Sequence, residues 1–428
     1  MSTELATLEN GLRVVTHHMP HLETVSLGVW VGTGARSETL TQHGISHLLE
    51  HMAFKGTARR SAREIAEEIE SVGGDLNAAT SIETTAYYAR VLKADVALAV
   101  DIIADILRDP KFDAGELARE QDVILQEIAA ADDSPDDVAY DLAQEMAFPD
   151  QAAGRTILGT RESVRSVTPD DLTGYMKSRY CAGSMVLAAA GAVDHGKLLQ
   201  LAESAFGDMA PSSHHEPEIA SYAGGFKHEA RQFEQSHIVI SFQGPSYRDD
   251  TMYTAQLCSS VLGGGMSSRL FQEAREVRGL CYSIYSYCWG MTDTGLFGIH
   301  AATGAEQITE LAEVIFMELE KLANDAVSDM ELARAKAQMK SGLLMSLESS
   351  GSRAEQIARQ TMVFGAPRDI NELVEKVESV DKDAVRSFAG ELILSASPSV
   401  AAVGPLEDRE GLKRIIQRSF PRPARAAE

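Results

Sequence analysis

A chain of 428 residues can build more than one hydrophobic core, and 44% apolar with 24% charged residues is the balance of a folded, soluble protein. A formal net charge of −24 argues against nucleic acid as a partner, because phosphate binding needs concentrated Lys and Arg; it suits basic peptides, and equally a plainly acidic surface. Four cysteines without a CxxC pairing suggest neither a disulfide framework nor a cysteine metal knuckle, and they fit a reducing compartment.

The opening MSTELATLENGLRVV has no basic segment followed by an apolar one, and no run of 18 uncharged apolar residues occurs, so neither secretion nor membrane insertion is expected and a cytoplasmic location is. VSLGVWVGTGARSE (25–38) reads as a strand. HGISHLLEHMAFKG (43–56) follows, with Ile45, Leu48, Leu49 and Met52 at helical spacing. His47 and His51 are four apart, so on a helix they share a face and their imidazoles converge on one ion. Glu50 sits beside His51 and one turn from His47, in the H-x-x-E-H order of an inverted zinc hydrolase motif. A solvated helix face carries the same residues, so the motif alone leaves both readings open.

ADVALAVDIIADIL (94–107) has the 3.6-residue periodicity of a helix. A hydrolytic zinc normally takes a third protein ligand, and FDAGELAREQDVILQEIAAADDSPDD (112–137) offers candidates. Glu120 and Glu127, seven apart, share a helical face, so one suits ligation and the other bracing, unless both are surface charges. SMVLAAAGAVD (184–194) closes the half on an apolar strand, and GDMAPSSHHEPEIASYAGG (207–225) reads as a linker.

The second half repeats the first at an offset near 212. HIVISFQGPSYRDD (237–250) faces 25–38, ELAR at 116–119 recurs at 331–334, and SPSVAAVGPLE (397–407) faces 184–194, with Gly404 over Gly191. ITELAEVIFMELEKLA (308–323) is again helical in period. The expected organisation is α+β: two homologous lobes, 1–210 and 226–428, joined by a linker at 211–225, each a mixed sheet packed with helices. His47, Glu50 and His51 fall on Ser259, Leu262 and Gly263, so the second lobe lacks this metal constellation. GGG at 263–265 lacks the phosphate-cradling GxxxxGK[ST] form, and a flexible or close-packed glycine loop is the better reading.

From ENGLRVV to VGPLEDREGLKRI the sequence resembles the pitrilysin/insulinase family of zinc metallopeptidases, and within it the processing-peptidase group. The resemblance implies Zn2+ held by His47, His51 and Glu127, with Glu50 as general base and Glu120 bracing the ligands. It places substrate backbone on an edge strand in GGDLNAATSIETTAYYA (73–89), touching Asn77 and Ala78. In REVRGLCYSIYS (275–286) it gives Arg275 and Tyr282 the task of binding the substrate carbonyl. It further implies a clamshell fold, an endopeptidase acting on extended unfolded peptides or presequences, and a homodimer or a heterodimer with a homologous chain. Acidic residues such as Glu83 and those of AADDSPDD would favour basic segments. The alternative within the superfamily is a noncatalytic structural subunit of a processing-peptidase-like or respiratory complex.

Overall fold

The computed structural model describes residues 2–211, 218–395 and 397–419. Its strands are β1 (Thr3–Thr7), β2 (Arg13–His18), β3 (Thr24–Val31), β4 (Asp75–Thr80), β5 (Thr85–Leu92), β6 (Met185–Gly191), β7 (Gly225–Glu229), β8 (Ser236–Gly244), β9 (Cys281–Gly290), β10 (Gly295–Thr303) and β11 (Ser399–Val403). Among the described residues they form two mixed sheets, ordered β1-β2-β6-β3-β5-β4 and β7-β11-β8-β10-β9. Apart from β1 the two orders coincide, and so do the directions. β2 runs parallel to β6 as β7 does to β11, and the other neighbours are antiparallel. The internal repeat in the sequence is therefore a repeat of topology.

The packing units are not contiguous in sequence. One comprises Met1–Ala129, Arg155–Glu218 and Leu343–Asp369; the other comprises Ala130–Gly154, Ile219–Gly342 and Ile370–Glu428. Each half thus gives one helical segment to the sheet of the other, unlike the simple division at 1–210 and 226–428. The reason is where apolar faces are buried. In the first unit Ala354, Ile357 and Ala358 of the helix Ser350–Phe364 pack on Val15, Trp30, Val186, Ala188 and Ala190 of its sheet. In the second, Val138, Ala139, Leu142 and Ala143 of the helix Pro135–Ala147 pack on Val239, Ala401 and Val403. Burying each such aliphatic side chain contributes roughly 1.5–3 kcal/mol for the larger ones.

The opposite face of the first sheet carries the main core of that unit. Ile45, Leu48, Leu49 and Met52 of the helix Ile45–Ala53 join Ile102, Ile103 and Ile106 of the helix Val96–Arg108 against Val25, Leu27, Val29 and Tyr87. The helical periods expected at 94–107 and 308–323 correspond to Val96–Arg108 and Ile308–Asn324.

Of the expected linker at 211–225, residues 212–217 lie outside the described residues, 218–224 has neither helix nor strand, and β7 begins at Gly225. Gly263, in the triple-glycine run, ends the helix Met252–Gly263 where an added Cβ would lie 2.6 Å from Ser286 N, so that position is closed by packing. All four cysteines are free thiols. Among the described residues no helix is long and apolar enough to cross a membrane.

Candidate metal centre

The helix Ile45–Ala53 starts at Gly44, whose φ of +91° suits glycine and whose added Cβ would sit 2.8 Å from Leu158 O. Its first amides have no partner within the helix. Glu38 supplies one: Oε2 accepts from Gly44 N and Oε1 from Ser46 N, both at 2.8 Å. Apolar Leu48, Leu49 and Met52 anchor one side of the helix in the core, which turns His47 and His51 toward the long helix Ala114–Asp132.

There His47, His51 and Glu127 each offer one ligand atom, and the three atoms lie within 4.8 Å of one another. His47 Nε2 is 3.6 Å from Glu127 Oε2, and His51 Nε2 is 3.8 Å from Glu127 Oε1. These separations exceed hydrogen bonds. Tetrahedral zinc with bonds of about 2.0–2.2 Å holds its ligand atoms roughly 3.4 Å apart, so the spacing and the two-imidazole, one-carboxylate donor set fit zinc. Burial, and then the neighbouring His51, pull the His47 pKa down to about 4, which keeps its imidazole neutral as a ligand must be.

The surrounding shell is asymmetric. His51 Nδ1 lies 3.0 Å from Glu120 Oε2, and Lys55 Nζ lies 2.7 Å from Glu120 Oε1. Lys55 and Glu120 thereby fix the His51 ring, whose Nε2 faces Glu127. His47 Nδ1, by contrast, is buried with no hydrogen-bond partner. The brace therefore acts through His51. Glu120→Gln is expected to weaken zinc binding by roughly 10–100-fold, as measured by competition with a chromophoric chelator. An unchanged affinity would show that the Glu120 carboxylate does not set the ligand's orientation.

Glu50 turns to the sheet. It accepts a hydrogen bond from Thr80 Oγ1, at the end of β4, and burial raises its pKa against the opposing effects of Thr80 and His51. Among the described residues β4 is the last strand of its sheet and pairs only with β5. Asn77 is exposed on it, and its Oδ1 accepts from Ala78 N at 2.8 Å. The carboxylate and the edge strand therefore meet at Thr80.

In the second unit, Arg275 lies in a π-helical turn, Phe271–Val277, with its guanidinium carbon 4.8 Å from the ring centre of Tyr282 and 4.6 Å from that of Phe271. Tyr282 is 76% exposed. The two candidates for carbonyl binding are thus adjacent and stacked. Glu83 differs from the expectation of a carboxylate free for basic substrates, because buried Arg36 holds it at 2.9 Å.

Glu38, Lys55 and Thr80 escaped the sequence reading. Lys55 stands four residues after His51, and Thr80 shares strand parity with Ala78, so each left a local signal. Glu38 left none, since it reaches the helix from outside any helical period.

The profile described as Insulinase (Peptidase family M16) matches residues 13–161, and that of the Peptidase M16 inactive domain matches 166–339. An uncharacterized zinc protease of Streptomyces coelicolor is 36% identical over 415 residues, covering 94% of this chain and 90% of that protein. Another from Rickettsia felis is 37% identical, covering 94% and 97%, and the zinc protease YmxG of Bacillus subtilis is 37% identical, covering 90% and 94%. The fold is similar to a crystal structure described as a peptidase M16 inactive domain from Pseudomonas fluorescens, with TM-score 0.89 at 19% identity over 95% of this chain and 99% of that one. It is also similar to a protease from Helicobacter pylori, with TM-score 0.87 at 21% identity over 94% and 99%. By its relatives along nearly the whole sequence and by the His/Glu cluster in its first unit, the chain belongs to the insulinase family of zinc proteases, peptidase family M16.

Proposed function

We propose that this zinc protease is an endopeptidase for extended, unfolded peptides, with His47, His51 and Glu127 as metal ligands and Glu50 as general base. The observation that carries the reading is the meeting of three elements in one unit: the ligand cluster, the buried Glu50 carboxylate, and the open edge of β4 joined to it through Thr80.

Zinc held by these ligands supplies Lewis acidity, which polarises a carbonyl and acidifies water. The chain's own residues do the rest. β4 offers unpaired backbone to an extended peptide, with Asn77 and Ala78 on the strand, and so selects chains without secondary structure of their own. Glu50 takes a proton from the attacking water and delivers it to the leaving amine. Raising its pKa by burial brings its basicity closer to that task, and the Thr80 hydroxyl holds the carboxylate in one orientation. Arg275 and Tyr282 are assigned to the substrate carbonyl, where a fixed cation and a phenol hydroxyl stabilise developing negative charge.

A processing role on presequences and a preference for basic segments rest on the resemblance and on the net charge of −24. Glu83 adds nothing to that preference while Arg36 holds it. A homodimer is the assembly proposed, since one chain carries both the ligand set and the Arg/Tyr pair.

The test is digestion of a mixed library of basic and neutral unfolded peptides, before and after metal removal and with zinc restored. Cleavage that disappears with the metal and returns with zinc is the expected result, with basic residues enriched near the cut bonds. A zinc-loaded chain that cuts nothing, alone and as a dimer by size-exclusion chromatography, would favour the noncatalytic-subunit reading.

A further inference from the structure

The second half lacks H-x-x-E-H, yet the second unit gathers a different set of donors. Asp136 is the second residue of the helix Pro135–Ala147, His237 lies on β8 and His300 on β10. Ala302 pairs with His237 across these antiparallel strands, so His300, two residues earlier, projects from the same face as His237. Val239 on that face is packed against the helix that carries Asp136.

The three donors are close. Asp136 Oδ1 is 2.9 Å from His237 Nδ1 and 2.8 Å from His300 Nε2, and the two nitrogens are 3.4 Å apart. The last distance matches the roughly 3.4 Å between ligand atoms of a tetrahedral ion with bonds of about 2.0–2.2 Å, whereas the two to Asp136 are hydrogen-bond lengths and would widen by about 0.5 Å when an ion replaces the protons. Both imidazoles are buried, whereas the Asp136 side chain is 55% exposed, so an ion can reach the cluster from the carboxylate side. His300 Nδ1 is buried with no hydrogen-bond partner and Nε2 faces the Asp136 carboxylate, so a divalent ion would replace the proton that Nε2 shares with Oδ1. The ring itself is clamped: Tyr140 stacks on it at 5.5 Å and 19°, Tyr285 lies 5.0 Å away, and Tyr140 donates to the Tyr285 hydroxyl at 2.7 Å.

We propose that Asp136, His237 and His300 form a second metal site, which takes a borderline divalent ion such as Zn2+ or Co2+ and fastens the helix Pro135–Ala147 to β8 and β10. Imidazole donors disfavour Mg2+ and Ca2+, and two imidazoles with one carboxylate suit zinc and its neighbours. The task is structural. This helix comes from the first half of the sequence and packs on the sheet of the second, so an ion at its first turn ties the exchanged segment to its adopted sheet. The site does not depend on the peptidase reading.

The competing arrangement is a hydrogen-bonded triad in which both imidazoles donate to Asp136. Metal content separates the two. The full chain bearing His47→Ala and His51→Ala, stripped of metal and dialysed against Zn2+, is expected to keep about one equivalent. Its thermal midpoint should rise with zinc concentration, as binding to the folded state requires. Co2+ in the same chain should give ligand-field absorption. Adding Asp136→Asn, an exposed and near-isosteric change, should lower zinc affinity by more than the roughly 10–100-fold that loss of an outer-shell group costs. Retention of no zinc by the double variant, with no zinc-dependent rise in midpoint, overturns the site. Should the double variant not fold, the same comparison is made in the otherwise unchanged chain, where Asp136→Asn is expected to lower zinc from about two equivalents to about one; equal zinc in both also overturns it.

Discussion

Glu50→Gln is expected to leave zinc content unchanged while kcat for peptide hydrolysis falls by roughly 10²–10⁴-fold. The candidate ligand atoms belong to His47, His51 and Glu127, and Glu50 is hydrogen-bonded instead to Thr80. The amide of Gln is nearly isosteric with the carboxylate, and its oxygen still accepts from the Thr80 hydroxyl. What it loses is the capacity to take a proton from water and return it to the leaving amine. Because binding along β4 is untouched, KM should change much less than kcat. Metal analysis by mass spectrometry with steady-state cleavage of one unfolded peptide measures both halves of this expectation. Loss of zinc would make Glu50 part of the metal's support, and retained turnover would assign the base elsewhere.

The histidine helix was legible because its information is local: apolar residues at helical spacing, and two imidazoles one turn apart on a shared face. The pairing of Glu120 with Glu127 was legible as a shared face too, but spacing did not say which carboxylate faces both histidines. In the folded chain Glu120 reaches His51 Nδ1, whereas Glu127 faces the Nε2 atoms of both histidines. The repeat of topology was visible in strands that align at one offset. The exchange of helices was not. Amphipathic patterning says that Val138, Ala139 and Leu142 are buried, without saying on which sheet. The chain passes from one unit to the other at Ala129 and Ala130, in the last turn of the long helix Ala114–Asp132, and Ser134 and Pro135 then start the next helix. The Asp136, His237 and His300 cluster was invisible for the related reason that its members are separated by 101 and 63 positions and follow no period.

Glu38 should govern both the stability of the histidine helix and its response to pH. Its carboxylate is buried and satisfies two amides at the start of that helix. Glu38→Ala leaves those amides without acceptors, at about 1–3 kcal/mol each, so a loss of roughly 2–6 kcal/mol is expected in denaturant unfolding. Burial pushes the Glu38 pKa from 4.5 up to about 7, despite the lowering effect of the Ser46 and Gly44 amides. The folded chain therefore holds this proton more tightly than the unfolded one. The associated stability is present in full below pH 4.5 and disappears as pH rises through about 7, a linkage of at most about 3 kcal/mol. Asp141, raised to about 6, acts in the same direction, whereas His17, His47 and His300, lowered to about 4, act in the opposite one. The whole-protein profile thus hides Glu38, but the difference between the wild type and Glu38→Gln isolates it. Measured on metal-free protein from pH 4.5 to 8, the wild type should lose stability relative to the Gln variant as pH rises. A flat difference would mean that the helix amides hold the carboxylate's pKa near its ordinary value, and that Glu38 is ionised throughout as a fixed negative cap on the helix that carries His47 and His51.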